Sequence, residues 1–247
     1  MVDFQNKQVV FSKLGTIPYA EALDIQVKAF DSIVNSKIAN RQLELNQKKP
    51  TCNHLFFCEH PHVYTLGRSG SMEHLLISEE GLKNRNAEFY KTGRGGDITY
   101  HGPGQLVAYP VLDLDNFFTD IHKYMRLLEE AVILTLKYFG ISSGRISGLT
   151  GVWIDIDDPE KAKKICAFGV KTSRWVTMHG LSLNVNTDLS YFDYIVPCGI
   201  SDKAVTSMQQ ELNRKVSMDE VMEQLLFQLS SLFGMNIVKE IKQPVVE

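Results

Sequence analysis

The stretch GRGGDITYHGPGQLVAYPVLDL, residues 93–114, carries the reading of the fold. Five of the chain's 17 glycines fall between Gly93 and Gly104, where an even spread would place about one. Between them Ile98 to Tyr100, β-branched and aromatic, reads as a short strand held by two tight turns. Beyond the second turn, Gln105 to Leu112 reads as a longer strand. Gly95, Gly96, Gly102 and Gly104 permit positive φ and let backbone N–H groups approach a ligand, with Arg94, Asp97 and His101 beside them to supply charge and hydrogen bonds. Two readings stand, a ligand cradle and a pair of turns that serve only the strand. The pattern fits neither the Walker phosphate loop nor the dinucleotide fingerprint.

Working outward, strands are expected at Val9 to Leu14, at Leu55 to Phe57, around Phe89, and in VWIDI from Val152, KICAFGV from Lys164, RWVTMHG from Arg174 and LSLNV from Leu181. Pro18 opens a helix with Leu23, Val27, Phe30, Val34 and Ile38 at helical spacing. Asp120 caps a second, with Ile121, Tyr124, Leu128, Val132 and Phe139 on its buried side and Gly140 as its stop. Ser217 and Glu220 form a capping box for a last helix striped by Val221, Met222, Leu225, Leu229 and Leu232 and ended by Gly234. The order of elements predicts one mixed α+β unit, a mixed or antiparallel sheet with packed helices, with a small C-terminal appendage. No internal repeat or long linker divides residues 1–247, so a single domain is expected.

The 247 residues carry 26 Lys+Arg against 29 Asp+Glu and are 44% hydrophobic, values of an ordinary folded chain. A net charge of −3 gives no global field for nucleic acid or anionic lipid. The apolar run AVILTL, Ala131 to Leu136, is far short of the ~20 residues that cross a bilayer. The N-terminal MVDFQNKQVVFSK has neither a secretory nor a transit pattern, and Cys52, Cys58, Cys166 and Cys198 show no disulfide framework. A cytoplasmic protein with free thiols is expected.

Cys198 lies in VPCGI between a proline and a glycine, a loop context in which a thiol can be held at a cleft; the competing reading is a small buried hydrophobe. Lys164, after Lys161 and Lys163, reads by composition as a solvated charge at a strand edge. Cys52, His54, Cys58, His60 and His62 would share one strand face and are zinc-ligand types, but Pro61 breaks the strand and no CxxC pair is present, so no metal site is expected.

EHPHVYTLGR from Glu59, the block from Gly93, KICAFGVK from Lys164, TMHGLSLNV from Thr177 and PCGISDKAVTS from Pro197 together closely resemble the octanoyltransferases of lipoate biosynthesis. The blocks span residues 59–207 in the family's order, and the 34 residues between Lys164 and Cys198 agree with the family's Lys/Cys dyad. The resemblance implies a fold similar to the catalytic domains of biotin protein ligases and lipoate ligases. It implies a cytoplasmic acyltransferase that takes octanoyl from acyl carrier protein and gives it to a lysine of a lipoyl domain, in 2-oxoacid dehydrogenases and the glycine cleavage H protein, without a cofactor. By carry-over Cys198 is the nucleophile and Lys164 its acid/base partner. The glycine-rich block (Arg94, Gly95, Gly96, Asp97, Thr99, Tyr100, His101, Gly102) with His179, Gly180 and Gly199 would bind substrate; for His179 the competing reading is a satisfied core histidine. The alternatives are an ATP-dependent lipoate or octanoate ligase and a lipoyl-domain amidotransferase of the same fold, or a noncatalytic scaffold that binds acyl carrier protein or lipoyl domains. Cys166 stands where a small residue such as alanine is expected. Two residues after Lys164 on a strand, it should face the pocket that contains Cys198.

Overall fold

The computed structural model describes residues 5–158, 160–196 and 204–239, and within them the chain is a mixed α+β fold. In chain order the elements are β1 (Gln8–Thr16), α1 (Tyr19–Asn40), β2 (His54–Glu59), β3 (Val63–Leu66), α2 (Glu79–Asn84), β4 (Glu88–Lys91), β5 (Ile98–His101) and β6 (Gln105–Val111). They continue with α3 (Ile121–Tyr138), β7 (Gly144–Ile146), β8 (Leu149–Ile154), β9 (Lys163–Ser173), β10 (Val176–Asn184), β11 (Ala204–Val205), α4 (Met208–Leu212), α5 (Met218–Phe233) and β12 (Asn236–Lys239). The large sheet runs β12-β1-β2-β6-β10-β9-β8-β7, with β11 paired to β9, and a small sheet runs β4-β3-β5. In the large sheet β12–β1, β1–β2 and β11–β9 are parallel and the other pairs antiparallel.

Alternation along the central strands sorts their side chains between two cores. Leu55, Phe57, Leu106 and Ala108 face α3 and α5, whereas Phe56, Cys58, Val107 and Tyr109 face Ala22, Phe30 and Ile33 of α1. Covered on both sides, β6 is buried at every residue, so its sequence reads as an unbroken apolar run.

The helices begin and end largely where their caps are read. Asp120 accepts the Lys123 N–H, Ser217 accepts the Glu220 N–H, and Gly234 closes α5 at φ 65°. The buried face of α1 differs from the expected stripe: Tyr19, Ala22, Gln26, Phe30 and Ile33 point inward, and Val27 and Ile38 are exposed. A polar residue on the inner face, Gln26, displaces the apolar pattern; its partner is described below. RWVTMHG and LSLNV are not two strands but the single β10, and Arg174 and Trp175 make the two-residue turn before it, at φ 52° and 63°. Positive φ at both turn residues matches the twist of the paired strands. The C-terminal elements are no appendage, since α5 packs on α3 and β12 extends the large sheet beside β1.

Candidate active site

The glycine-rich block folds over the β9–β10 hairpin, where the Gly95 N–H donates to Val170 O at 2.9 Å. A cavity opens beneath it, walled by β5, β6, β9 and β10 and by Tyr19 at the start of α1. Of the four glycines read as permitting positive φ, Gly96 (83°) and Gly104 (79°) adopt it. Gly95 and Gly102 do not; Gly102 is small because the Tyr100 hydroxyl occupies the place of a Cβ.

Arg94 is 7% exposed and its guanidinium shapes the cavity wall. Nη2 donates to Thr65 O at 2.5 Å and to Thr65 Oγ1 at 2.9 Å, and Nη1 donates to Gly95 O at 3.0 Å. The cation therefore ties its own loop to β3, the kind of paired burial a charge requires. Asp97 accepts the Ile98 N–H at 2.7 Å and pairs with His74 at 2.5 Å, pinning the loop from its other end.

His101 begins a chain of hydrogen bonds that crosses the site. Its Nδ1–H donates to Gln105 Oε1 at 2.8 Å, Gln105 Nε2 donates to Asn184 Oδ1 at 2.9 Å, and Asn184 Nδ2 donates to Thr206 O at 3.0 Å. The Thr206 N–H then donates to Lys164 O at 3.0 Å. Tyr19 stacks on His101 with ring centroids 6.2 Å apart. Burial, reinforced by nearby His60, pushes the His101 pKa down to about 3, so the ring is neutral at physiological pH.

His179 is not a satisfied core histidine. It interrupts β10 at φ 60°, a conformation that strains a residue with a Cβ, and its N–H donates to Gln26 Oε1 at 3.0 Å. That bond is what brings Gln26 to the inner face of α1. The ring lines the cavity with Nδ1 lacking a hydrogen-bond partner among the described residues, and burial, then the Arg94 charge, lowers its pKa to about 4. Two neutral imidazoles, Tyr109, Val107, Phe168 and Leu181 give walls suited to a hydrocarbon.

Two more cavities meet this one at Ala167, and Lys164 lines both. Lys164 is 9% exposed, not a solvated strand-edge charge; its Nζ lies over the Trp153 ring, 4.7 Å from the centroid. Cys166 lines one of these cavities with Lys164, although the β8–β9 register skips between the two residues and the simple alternation read from sequence does not hold there. Its thiol is 1% exposed and burial pushes its pKa well up, which makes it a poor nucleophile. Cys198 and Gly199 lie outside the described residues. The described chain resumes at Ala204, whose strand β11 pairs with Lys163 and Lys164.

Thr99 and Gly180 line the cavity beneath the loop, but Tyr100 and Gly102 line none of the three cavities. Tyr100 is fully buried in the core of the small sheet, its hydroxyl 2.7 Å from His62 Nδ1. In the EHP segment His60 Nδ1 donates to Ile17 O at 2.7 Å and Tyr109 donates to His60 Nε2 at 2.7 Å, so this imidazole is spent on structure. Among the described residues no group of three or more His, Cys, Asp or Glu is arranged to hold a metal ion, and no helix is long and apolar enough to cross a membrane. Sequence reasoning missed Tyr19, Thr65, Gln105, Trp153 and Asn184. Thr65, Gln105 and Asn184, inside quoted blocks, carried a signal that could have found them.

Comparison with known proteins gives the family and the fold. The family model for the lipoyl protein ligase A/B catalytic domain matches residues 19–230. An octanoyltransferase of Cytophaga hutchinsonii is 61% identical over 232 residues, 94% of this chain and 95% of that protein. One from Christiangramia forsetii is 59% identical over 92% of this chain and 97% of that protein. Among solved structures, the bipartite lipoate protein ligase of Thermoplasma acidophilum, from a study that includes its E2 lipoyl domain, superposes with a TM-score of 0.68 at 20% identity, covering 97% of this chain and 89% of that one. A lipoate-protein ligase A bound with ATP gives 0.65 at 18% identity, covering 97% and 90%. At such identities these structures share the fold.

Proposed function

Because the chain belongs to the lipoyl protein ligase A/B catalytic-domain family and, within it, to the octanoyltransferases, which are acyltransferase enzymes, we propose that it moves octanoyl from acyl carrier protein to a lysine of lipoyl domains through a thioester on Cys198. The acceptors are the lipoyl domains of 2-oxoacid dehydrogenases and the glycine cleavage H protein. Residues 1–247 act as one catalytic domain, in the cytoplasm and without a cofactor. The observation that carries this reading is Lys164, an amine buried where two cavities meet a third that is walled by apolar groups and neutral histidines.

The Cys198 thiolate attacks the carbonyl carbon of the donor thioester, the bond to the pantetheine sulfur breaks, and that sulfur leaves with a proton from Lys164. The acceptor lysine, as the free amine, then attacks the same carbon. The bond to Cys198 Sγ breaks, an amide forms, and the now neutral Lys164 takes the proton lost by the nitrogen. An ammonium near the thiol favours the thiolate, and the Gly199 N–H is positioned in sequence to donate to the developing oxyanion. The octanoyl chain occupies the cavity under Arg94, Gly95, Gly96 and Asp97, against Thr99, His101, His179 and Gly180. Thiol-to-thiol transfer is nearly isoenergetic, so no nucleotide is called for.

The test is intact-mass analysis after mixing with octanoyl acyl carrier protein, followed by transfer to a lipoyl domain without ATP. An octanoyl adduct mapped to Cys198 and lost on adding acceptor is expected. An adduct elsewhere, full transfer by Cys198→Ser, or dependence on ATP with free octanoate would overturn the reading.

A further inference from the structure

Glu129 in α3 is 1% exposed, yet the steps above do not use it. Its Oε2 accepts from Arg126 Nη1 at 2.7 Å and from Arg145 Nε at 2.9 Å. The other oxygen, Oε1, accepts the Gly151 N–H at 3.3 Å. This last bond falls where the sheet is irregular on both sides of β8. Toward β7 the register skips between Ile146↔Leu149 and Gly144↔Trp153. Toward β9 it skips between Val152↔Cys166 and Trp153↔Lys164, so Ile165 is the extra residue of a bulge. A buried amide next to a broken ladder needs an acceptor from elsewhere, and Glu129 supplies it across the helix–sheet interface.

Gly151 is pressed against the Lys164 side chain. It holds φ 144°, a conformation that a side chain would strain, and a Cβ there would lie 3.2 Å from Lys164 Cε and 3.0 Å from Trp153 Nε1. The backbone that Glu129 fixes therefore forms the wall behind the Lys164 stem and beside the Trp153 ring on which its ammonium rests. Cys166 is near enough to sense both groups: its thiol, raised first by burial, is raised further by Glu129 and lowered by Lys164.

We infer that Glu129 is a positioning residue for Lys164, holding the Gly151 N–H so that the irregular segment of β8 keeps the amine over Trp153 at the junction of the cavities. This rests on the reading of Lys164 as the acid/base group. What matters on this account is the reach of the side-chain oxygen to Gly151, not its charge. Arg126 and Arg145 are 58% and 29% exposed and can turn to water if the carboxylate is neutralised.

The test sets reach against charge. Glu129→Gln keeps an oxygen at the same distance and loses the charge; Glu129→Asp keeps the charge and withdraws the oxygen by one methylene. Both are made in a Trp175→Phe background, which leaves Trp153 as the single tryptophan of a chain that has two, with Lys164→Ala alongside. Glu129→Asp should lower kcat for octanoyl transfer by about 10²-fold, the scale expected for a misplaced catalytic group, with KM for the donor little changed. Its Trp153 emission should move toward that of Lys164→Ala. Glu129→Gln should keep kcat within about threefold of the parent and the parent's emission. A Glu129→Asp enzyme with parental kcat and emission, or a Glu129→Gln enzyme more impaired than the Asp variant, would overturn the inference by showing that the carboxylate serves only its arginines. Failure of the underlying reading is separable, because it would appear as full transfer by Lys164→Ala.

Discussion

The two buried histidines of the cavity make stability depend on pH in a calculable way. A solvated histidine titrates near 6.5, whereas burial and the Arg94 charge hold His179 to about 4. Between those values the unfolded chain binds a proton that the folded chain refuses. Folding stability from this group is therefore whole above pH 6.5, falls as the pH drops through the window, and stops falling below about 4. At about 1.4 kcal/mol per pH unit, acidification from 7 to 5 removes about 2 kcal/mol through His179. His101, held to about 3, removes a similar amount. The assay is urea unfolding at pH 7 and pH 5 of the parent and of His179→Asn. Asparagine does not titrate, tolerates the left-handed backbone at φ 60°, and keeps the N–H that Gln26 accepts. The loss of stability between the two pH values should be smaller in the variant by about 2 kcal/mol, with an unchanged m-value. Equal losses in the two proteins would refute the argument, since every other titrating group is common to both.

Lys164→Ala and Lys164→Arg should both lose most octanoyl transfer in a steady-state assay, because arginine keeps the charge but gives up no proton near neutral pH; near-normal transfer by the Arg variant would leave the lysine a purely electrostatic role. Ala167→Phe, at the meeting point of the three cavities, should lower kcat/KM for the donor by at least about tenfold while the far-UV circular dichroism stays parental. Gly104→Ala should destabilise the fold by about 2–4 kcal/mol in urea, since the added Cβ meets Asn186 O at 2.5 Å on a backbone at φ 79°. Peroxide should inactivate Cys166→Ala and the parent at equal rates, because the buried thiol is held protonated.

The elements legible in the sequence are those whose signal is local. Caps at Asp120 and Ser217, the stop at Gly234 and the apolar run of β6 depend on neighbours within a few residues, and they stand where they are read. What was not legible depends on distant partners. The face of α1 is set by a bond from Gln26 to a residue 153 positions away. β10 reads as two strands because His179 and Gly180 break its pattern in the middle, and only the cavity explains why a histidine sits there at positive φ. The glycine-rich block stood out as a site candidate from its composition, and His179 entered only through resemblance. Glu129 did not, since a glutamate in an amphipathic helix looks like any other until the strand beneath it is known. Lys164 owed its place among the candidates to resemblance, because composition alone makes it a surface charge and its burial over Trp153 is a tertiary fact.

The placement of β12 beside β1 bears on how the protein is made. The partner that covers the outer edge of the first strand follows it by more than two hundred residues and leaves the ribosome long after it, and α5, which closes the core over α3, emerges just before that partner. Until then a nascent chain carries β1 with one row of backbone groups unpaired and an apolar face without its lid, a state that invites association with other chains. Completion of the sheet thus waits on a pairing between segments far apart in sequence, of high contact order and correspondingly slow. A chain cut before Asn236 should emerge from synthesis as a client of chaperones instead of as a folded enzyme.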